Sequence, residues 1–598
     1  MKRRTKREQS QARLNHTLQG GVAMKSKRLA FLHFYIFVLC LALHAQDDRT
    51  FSVLKNLDVF HNIYRNLDAF YVDTLDADKV IKVGIDAMLH SLDPYTEYYP
   101  EEDQSDLKML TQAKYGGIGS VIRMMKDSTV IIAEPYEGMP AAEVGLQVGD
   151  VLLKVDDKDL KGMGTPEVSN LLRGEPGTTF VLKFQRPNES KPREVKITRK
   201  NIKLPPIPYY GIIPSPSSLS SRSTLHSSLS TVGYINLSQF TNDCYSDVRK
   251  AIISLKSQGA KSLIFDLRGN PGGALDQAVR IVNLFVPKDI TIVETKGKVQ
   301  GGNQTYKTMD QPLDEEIPIV VMVNGNSASA SEIVAGSLQD LDRAVILGSR
   351  TYGKGLVQSI RELPYNGNLK LTTAKYYIPS GRCIQEIDYK QKRTSLNASS
   401  STPNASRSTL REDSTIYKTK NGRPVMSGKG IKPDVEVKHD TLQNIVYYLS
   451  NDDVLINYGT KYCQTHPVPQ SVAEFKLTDA DFEEFKKMVI ESDFKYDRLS
   501  EKRLQDLKKV AEFEGYYEDA KAEFDALEAK LTHNLSRELD HHAKDIRQLI
   551  SLEIIKRYFY ESGSVQEMLK EDTDLPRAME ILADKNEYNK ILSGPQNP

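Results

Sequence analysis

The sequence has few cysteines and only one long apolar run. Of the four cysteines in 598 residues, three lie beyond residue 45 (Cys244, Cys383 and Cys463). Three are too few for a disulfide framework, although one pair could form in an oxidising compartment, and their spacing matches no metal site. We therefore expect no metal and no cofactor. A single apolar run excludes a multi-span membrane protein, and the composition fits about three to five globular domains.

Positive charge is in excess only at the N-terminus. Residues 1–45 hold nine Lys and Arg and one acidic residue, so the rest of the chain carries a net charge of −7. An acidic chain has no bulk attraction for nucleic acid or anionic lipid, so we expect no nucleic-acid partner.

The same N-terminal region has the order of a secretory signal. Residues 24–28 are basic, residues 29–43 are apolar, and Ala45 precedes a polar stretch. This order predicts a signal peptide over residues 1–45 and an exported protein, periplasmic or associated with the cell envelope. A single membrane anchor is the alternative, although about 15 apolar residues are few for a span. Met24 is an alternative start.

Hydrophobic periodicity predicts a multidomain α+β chain. A helical N-terminal segment precedes a β-rich region, an α/β core and a charged, helical tail, and two Ser-rich stretches look like insertions. The predicted boundaries are 46–112 for the helical segment, 113–200 for the β-domain, 201–440 for the core with insertions 214–230 and 387–420, and 441–598 for the tail. Within the core, strands are expected over 262–267, 319–323, 344–347 and 431–437, and a helix over 275–285.

The β-rich region contains a glycine-rich turn, YGGIG over residues 115–119, followed by an extended run. Such a turn exposes backbone N–H groups that can bind an anion, although an ordinary turn is the alternative for the glycines alone. Further on come PAAEVGL, VGDVL and a short helix over 165–172. This ordered series resembles a PDZ domain. The resemblance implies that the free C-terminus of a protein or peptide binds the loop formed by Gly116, Gly117, Ile118 and Gly119.

Three segments of the core carry candidate chemistry. DLRGNPGG over residues 266–273 connects a strand to a helix, and its glycines allow N–H groups to face an oxyanion. NGNSASASE over 324–332 places a serine at a helix start, where the helix dipole is positive. In GKGLVQ over 353–358, Lys354 and Gln358 share a face if the stretch is extended.

A serine nucleophile needs a base, and no histidine occurs between His226, in the first insertion, and His439, at the end of the predicted core. The alternating strands and helices of the α/β core therefore contain none. A lysine must be neutral to accept a proton. Lowering its pKa from about 10.4 to 7 costs about 4.6 kcal/mol, which burial can supply. Lysine is the remaining candidate within the core, and a histidine would have to come from a flanking domain.

The combination resembles the S41 family of carboxyl-terminal processing peptidases, which have a PDZ domain and a crotonase/ClpP-like core. The resemblance implies that Ser329 is the nucleophile, Lys354 the base and Gln358 its support. It also implies an oxyanion hole formed by Ala330 with Gly272 or Gly273. A working dyad would bring the Lys354 amine within about 3.5 Å of the Ser329 hydroxyl, unless a movable domain misaligns the site.

Nearby residues have simpler interpretations. Asp340 lies about 16 Å along a helix from Ser329, so we expect a structural role. Glu332 is expected to cap the helix, with a bond inside the site as the alternative. Residues 348–354 fit the pattern G-x-x-x-x-G-K, but Gly355 replaces the Ser or Thr of a phosphate-binding loop, which argues against an NTPase.

The sequence therefore predicts an exported serine endopeptidase that recognises the C-terminal region of protein substrates and cleaves through an acyl-enzyme. A non-catalytic PDZ scaffold with an inactive protease fold is the alternative. Its partners would be proteins or peptides with free C-termini, and a homo-oligomer is open.

Overall fold

The computed structural model describes residues 49–103, 114–213, 231–299, 303–387, 389, 415–439, 443–531 and 534–594. The predicted signal peptide, the insertion over 214–230 and most of the second insertion lie outside these residues. The chain separates into two compact units, Met1–Met88 and Leu89–Pro598.

The first unit consists, in its described part, of two helices, α1 over residues 49–70 and α2 over Ala77–His90. Apolar residues recur at helical spacing along α1, and Leu54, Leu57 and Ile63 are more than half exposed. The helical character predicted over 46–112 is confirmed for these two stretches, but it is wrong for Glu97–Tyr99, which form a strand.

The second unit begins with a small antiparallel sheet in the order β3-β4-β5-β7-β8, with β6 paired to β5. A separate pair, β2 and β9, lies beside the glycine turn. The helix predicted over Thr165–Leu172 is present, and it packs on the sheet through Val168 and Leu172. The elements are β2 Lys114–Gly117, β3 Ser120–Met124, β4 Val130–Pro135, α3 Pro140–Glu143, β5 Val151–Val155, β6 Lys158–Asp159, α4 Thr165–Leu172, β7 Thr179–Gln185, β8 Arg193–Thr198 and β9 Lys200–Lys203.

The core is a six-stranded sheet in the order β10-β11-β12-β15-β16-β21, parallel except for β10. Helices α5 (Cys244–Ser257), α6 (Leu275–Asn283) and α7 (Ala330–Asp340) cover one face of this sheet. The carboxyl ends of the neighbouring strands β12 and β15 lead into the loops that precede α6 and α7. The elements are β10 Tyr209–Ile213, β11 Val232–Asn236, α5 Cys244–Ser257, β12 Ser262–Asp266, α6 Leu275–Asn283, β15 Ile319–Val323, α7 Ala330–Asp340, β16 Val345–Gly348 and β21 Val435–Glu436. The strand expected over 431–437 is thus only two residues long.

A second sheet, in the order β1-β18-β13-β14 with β17 paired to β18, lies next to this core. Its strands are β1 Glu97–Tyr99, β13 Thr291–Gly297, β14 Gln304–Lys307, β17 Leu356–Glu362 and β18 Asn368–Tyr377. The end of the second predicted insertion is not structureless, because β19 Ile416–Lys418 pairs with β20 Pro424–Met426.

The tail is helical, as predicted, but it serves two different cores. Helices α8 to α10, α13 and the first half of α14 share one apolar cluster. Helices α15 and α16 instead pack on the open face of the core sheet, against Tyr234, Ile264 and Met322. The helices are α8 Asn444–Asn451, α9 Asp453–Thr465, α10 Asp479–Glu491, α11 Leu499–Glu514, α12 Lys521–Leu531, α13 Leu535–His541, α14 Ala543–Lys570, α15 Asp574–Ala583 and α16 Lys585–Leu592. Among the described helices, none is long and apolar enough to cross a membrane.

Candidate active site

Ser329 occupies the turn between β15 and α7, directly before the first residue of the helix. Its backbone has φ 55° and ψ −111°, a region that non-glycine residues rarely adopt and that is found mainly at functional sites. The two flanking serines serve the backbone, since Ser327 Oγ donates to Leu267 O (2.8 Å) and Ser331 Oγ donates to Asn270 O (2.9 Å). These two bonds leave Ser329 as the candidate nucleophile among the three serines.

The glycine loop after β12 approaches Ser329 closely. A Cβ atom on Gly272 would lie 2.7 Å from Ala328 O and 2.8 Å from Ser329 Cβ, so no larger residue fits. The N–H of Gly272 donates to the buried Asn270 Oδ1 at 2.8 Å. Within the described residues, the N–H groups of Gly273 and Ala330 have no acceptor. Of the two glycines, Gly273 therefore keeps a free donor beside Ser329.

Glu332 connects Ser329 to the segment that carries Lys354. Its Oε2 accepts the N–H groups of Ser329 (2.9 Å) and Lys354 (2.8 Å). Its Oε1 accepts the Thr351 hydroxyl (2.6 Å) and the Gly353 N–H (2.8 Å). Burial raises the pKa of this carboxyl to about 7, against the opposing effect of these hydrogen bonds. Both interpretations of Glu332 from the sequence therefore hold at once, because it caps α7 and bonds within the site.

Lys354 is held through its main chain. Its carbonyl accepts the Tyr376 hydroxyl, which also donates to Ser329 O at 3.1 Å. Burial lowers the pKa of the Lys354 amine, and the positive charge of Lys370 lowers it further. Its Nζ lies 4.3 Å from the centre of the Tyr95 ring. The hydrogen bond expected between Nζ and Ser329 Oγ is not among those of the described residues.

Gln358 reaches the same cleft by a different route from the one the sequence predicts. The strand begins only at Leu356, and a β-bulge separates Val357 from Gln358, so the even spacing from Lys354 does not operate. The Gln358 Nε2 donates to Thr372 Oγ1 at 3.3 Å. Lys354 and Gln358 nevertheless face one cavity.

This cavity has a volume of about 480 Å³. Phe240, Ile333 and Leu356 contribute apolar walls. It is lined by all six residues that the resemblance assigned to catalysis: Ser329, Lys354, Gln358, Gly272, Gly273 and Ala330.

The loop assigned to peptide binding lies on the β-domain. Gly116 and Gly117 belong to β2 and pair with Asn201 and Lys200 of β9, so they are not part of an open turn. Ile118 and Gly119 separate β2 from β3, and Gly119 has φ 69°. Within the described residues these two N–H groups have no acceptor, and the buried Ser120 hydroxyl next to them has no partner. Of the predicted loop, this half offers donors to an anion.

An ion cluster behind the glycine loop could not be found from the sequence. Arg268 pairs with Asp266 (2.7 Å), Asp572 (2.5 Å) and Asp574 (3.0 Å), and His439 also meets Asp574 at 2.8 Å. Since about 300 residues separate Arg268 from the tail carboxylates, no local pattern signals the contact. The tail carboxylates thereby hold Arg268 in place, just after β12 and before the glycine loop.

The remaining candidates behave structurally. Asp340 pairs with the buried Arg382 at 2.8 Å and accepts the Ser380 N–H at 3.0 Å, which agrees with the structural role expected of it. Residues 348–354 lead into a strand instead of a helix, as the argument against an NTPase requires. Among the described residues, no three His, Cys, Asp or Glu side chains converge as a metal site would need.

Three family models match the chain. "Peptidase family S41" covers residues 231–392, "PDZ domain" covers 131–186, and "Probable PDZ-protease, C-terminal helical domain" covers 445–582. The carboxy-terminal-processing protease of Bartonella bacilliformis is 36% identical over 361 residues, which is 60% of this chain and 78% of the relative. A CtpA-like serine protease of Staphylococcus aureus is 34% identical over 334 residues, 55% of this chain and 63% of the relative.

Among solved structures, the photosystem II D1 C-terminal processing protease is 25% identical, and the match covers 63% of this chain and 92% of that protein with a TM-score of 0.35.

Proposed function

Because the chain belongs to peptidase family S41, the carboxy-terminal-processing serine proteases, we propose that it is an exported endopeptidase in which Ser329 and Lys354 form the catalytic dyad. The family, the PDZ domain and the α+β architecture predicted from the sequence are confirmed. The observation that carries the dyad is the meeting of Ser329, Lys354 and the free N–H groups of Gly273 and Ala330 in one cleft.

In the first half-reaction, the neutral Lys354 amine accepts the proton of Ser329 Oγ, which forms a bond to the carbonyl carbon of the scissile peptide. The negative charge that develops on the carbonyl oxygen is stabilised by the N–H groups of Gly273 and Ala330. The Lys354 ammonium then gives its proton to the departing nitrogen, the C–N bond breaks, and an ester remains on Ser329.

In the second half-reaction a water molecule replaces the departed amine. Lys354 accepts a proton from this water while the water oxygen attacks the ester carbon, and the same two N–H groups stabilise the second oxyanion. The bond between the acyl carbon and Ser329 Oγ then breaks, and the Lys354 ammonium returns its proton to the serine oxygen. The substrate fragment leaves with a new carboxyl terminus, and Ser329 and Lys354 are back in their starting protonation states.

Two features support lysine as the base. Burial and the neighbouring Lys370 lower its pKa, which increases the neutral fraction near neutral pH. The side chain of Gln358 is uncharged, so on contact with the amine it can orient the lone pair while raising the pKa of the amine less than a carboxylate would. The amine lies against the ring of Tyr95 without a hydrogen bond to Ser329, so it must move to reach the serine, while the Lys354 N–H stays bound to Glu332.

The PDZ domain supplies the selection of substrates. The free N–H groups of Ile118 and Gly119 can donate to a C-terminal carboxylate, and the edge strand β3 can pair with the residues before that carboxylate. The order of basic, apolar and small residues over 24–45 supports export, with an envelope or periplasmic location.

The test uses one peptide in free-acid and amide forms, cut well upstream of its end, with wild type and Ser329→Ala. We expect hydrolysis by wild type only, a lower kcat/KM for the amide, and binding of the free acid by both proteins. Hydrolysis by Ser329→Ala would contradict the nucleophile, and equal kcat/KM for both peptides would contradict carboxylate recognition. Binding without hydrolysis by wild type would instead support the non-catalytic scaffold.

A further inference from the structure

The amine of the proposed base lies against an aromatic ring contributed by a distant part of the chain. The Lys354 Nζ is 4.3 Å from the centre of the Tyr95 ring, inside the range of about 6 Å over which an ammonium group is attracted to a π face. Tyr95 lies between α2 and β1, more than 250 residues before Lys354. No motif of the catalytic segments includes it.

Tyr95 is held by a rigid turn. The buried Asp93 Oδ1 accepts the N–H groups of Tyr95 and Thr96, both at 2.8 Å. The Thr96 hydroxyl donates to Asp93 Oδ2 at 3.1 Å, and Thr96 is 1% exposed. A turn closed by three hydrogen bonds to one carboxylate fixes the backbone from which the ring projects.

The same turn is fixed to the sheet beside the active site. Thr372 of β18 donates its N–H to Thr96 Oγ1 at 3.3 Å, while its hydroxyl accepts from Gln358. Lys370, two residues before Thr372, also pairs with Glu97, the residue after Thr96, at 2.7 Å. The position of the ring is therefore set by the strand that also orients Gln358.

The far edge of the ring meets other tyrosines. The Tyr95 hydroxyl is 3.4 Å from that of Tyr352, which lies two residues before Lys354. The ring of Tyr389 meets it edge to face, with centroids 6.2 Å apart. These contacts keep the ring face directed at the amine.

By contrast, the amine has no hydrogen bond to a described residue, although the Lys354 N–H is bound to Glu332 and its carbonyl to Tyr376. The ring is thus the contact that localises Nζ. We propose that Tyr95 is a positioning residue that holds the protonated amine of Lys354 away from Ser329 until substrate binds, and that sets the pH at which this lysine becomes a base. The assignment of Lys354 as base is taken from the proposed function.

Other charges act on the same amine. Lys370 on β18 disfavours the ammonium form of Lys354, while Glu97 on β1, Asp93 in the turn and Glu332 on α7 favour it. Because each of these residues remains in a Tyr95 variant, a change in the pKa of Lys354 reports the ring itself. An ammonium is attracted by a π face and a neutral amine is not, so the ring raises the pKa that the other groups set.

The experiment measures the pKa of Lys354 without using catalysis. Full-length Ser329→Ala protein is acetylated with trace acetic anhydride over a pH series, and the extent of Lys354 acetylation is determined by mass spectrometry. The variants added to it are Tyr95→Leu, which keeps an apolar group without a π face, and Tyr95→Phe, which keeps the face. Tyr98→Leu, on the same segment, is the matched control.

We expect the midpoint for Lys354 to fall by about 0.5 to 1 pH unit in Tyr95→Leu and to stay at the value of the parent in Tyr95→Phe and Tyr98→Leu. An unchanged or higher midpoint in Tyr95→Leu would overturn the proposal, as would equal shifts in the Leu and Phe variants. Tyr95→Met replaces Tyr95→Leu if the latter does not fold, with the same expectation.

A second readout separates this proposal from the proposed function. With Ser329 restored, the acid limb of the kcat/KM profile should move in Tyr95→Leu in the same direction as the acetylation midpoint. If the midpoint moves but wild type hydrolyses no peptide, the positioning role of Tyr95 stands and the endopeptidase proposal fails. If peptide is hydrolysed and the midpoint does not move, the reverse holds.

Discussion

Helix α7 carries a buried carboxylate near each end, and the two are satisfied in opposite ways. Near its start, Glu332 is 0% exposed and accepts three backbone N–H groups and one hydroxyl, all uncharged. At its last residue, Asp340 is 2% exposed and faces the guanidinium of Arg382. The difference separates a site that positions groups for chemistry from one that joins elements of the core.

A carboxyl group that is held by uncharged donors can be either charged or neutral, whereas an ion pair requires both partners to be charged. Glu332 therefore connects the backbones of Ser329 and Lys354 while its pKa stays close to neutral pH. Asp340 and Arg382 are each costly to bury alone, so neither can be replaced singly without a large loss of stability. Four substitutions or conditions test this contrast.

The largest effect on activity is expected from Lys354→Arg, in the segment that Glu332 binds at the start of α7. Arginine keeps the positive charge but does not deprotonate near neutral pH, so it cannot accept the serine proton. We expect kcat/KM to fall by about 10³-fold or more, with a thermal melting curve close to that of wild type. Substantial remaining turnover would mean that another group is the base.

The next effect belongs to the other end and concerns stability. Asp340→Asn leaves the buried Arg382 without its counter-charge, and we expect the free energy of unfolding to fall by about 3 to 5 kcal/mol. Activity per folded molecule should stay within about threefold of wild type, because the site lies at the far end of the helix. Denaturant unfolding and active-site titration give the two quantities. A large loss of kcat in fully folded Asp340→Asn protein would remove the contrast.

Glu332→Gln should show the opposite balance. An amide has only one oxygen, so its NH₂ group would face N–H donors, such as those of Gly353 and Lys354, that the carboxylate accepts. Those hydrogen bonds would be lost. The segment carrying Lys354 would then shift relative to Ser329, and we expect kcat/KM to fall by about 10² with a loss of stability of about 1 to 3 kcal/mol. Steady-state kinetics and urea unfolding on one preparation measure both. Wild-type kinetics in this variant would show that Glu332 only caps the helix.

The smallest effect is in the pH dependence of stability. The folded-state pKa of Glu332, about 7, lies above its ordinary value of 4.5, so the folded protein binds a proton that the unfolded chain releases between these values. Stability from this group is therefore present at low pH and is lost as pH rises through 7. Between pH 5.5 and 8 we expect it to account for a loss of about 2 kcal/mol.

This dependence is read as the difference between wild type and Glu332→Gln, since all other titrating groups are shared. The difference in unfolding free energy should narrow as the pH rises. A difference that is constant with pH would show that Glu332 does not titrate in this range.

The sequence was sufficient where the chemistry and the structure are local. The turn that presents Ser329 joins the end of a strand to the start of a helix, and a run of apolar residues followed by a serine-rich turn shows both boundaries. The same is true of the helix over Thr165–Leu172. Boundaries were less certain where a neighbour decides them, as for β21, which pairs with β16 over only two residues.

Several features of the site had no local signal. The even spacing of Lys354 and Gln358 suggested a shared strand face. Lys354 instead precedes the strand, and a bulge between Val357 and Gln358 breaks the alternation of side chains. Nothing in the sequence distinguished Gly273 from Gly272 as a donor, because the distinction depends on the Asn270 side chain in the folded loop.

By itself the sequence determined the residue types for the proposed chemistry and the order of the elements, since turns, periodicity and the lack of histidine in the core are properties of short stretches. The tertiary structure decided which distant residues support them: Tyr95 on the Lys354 amine, and the tail carboxylates on Arg268. The physical reason is that an ion pair or a ring contact acts over a few ångströms in space, whatever the separation along the chain. Such contacts exist only after the sheets and helices have packed.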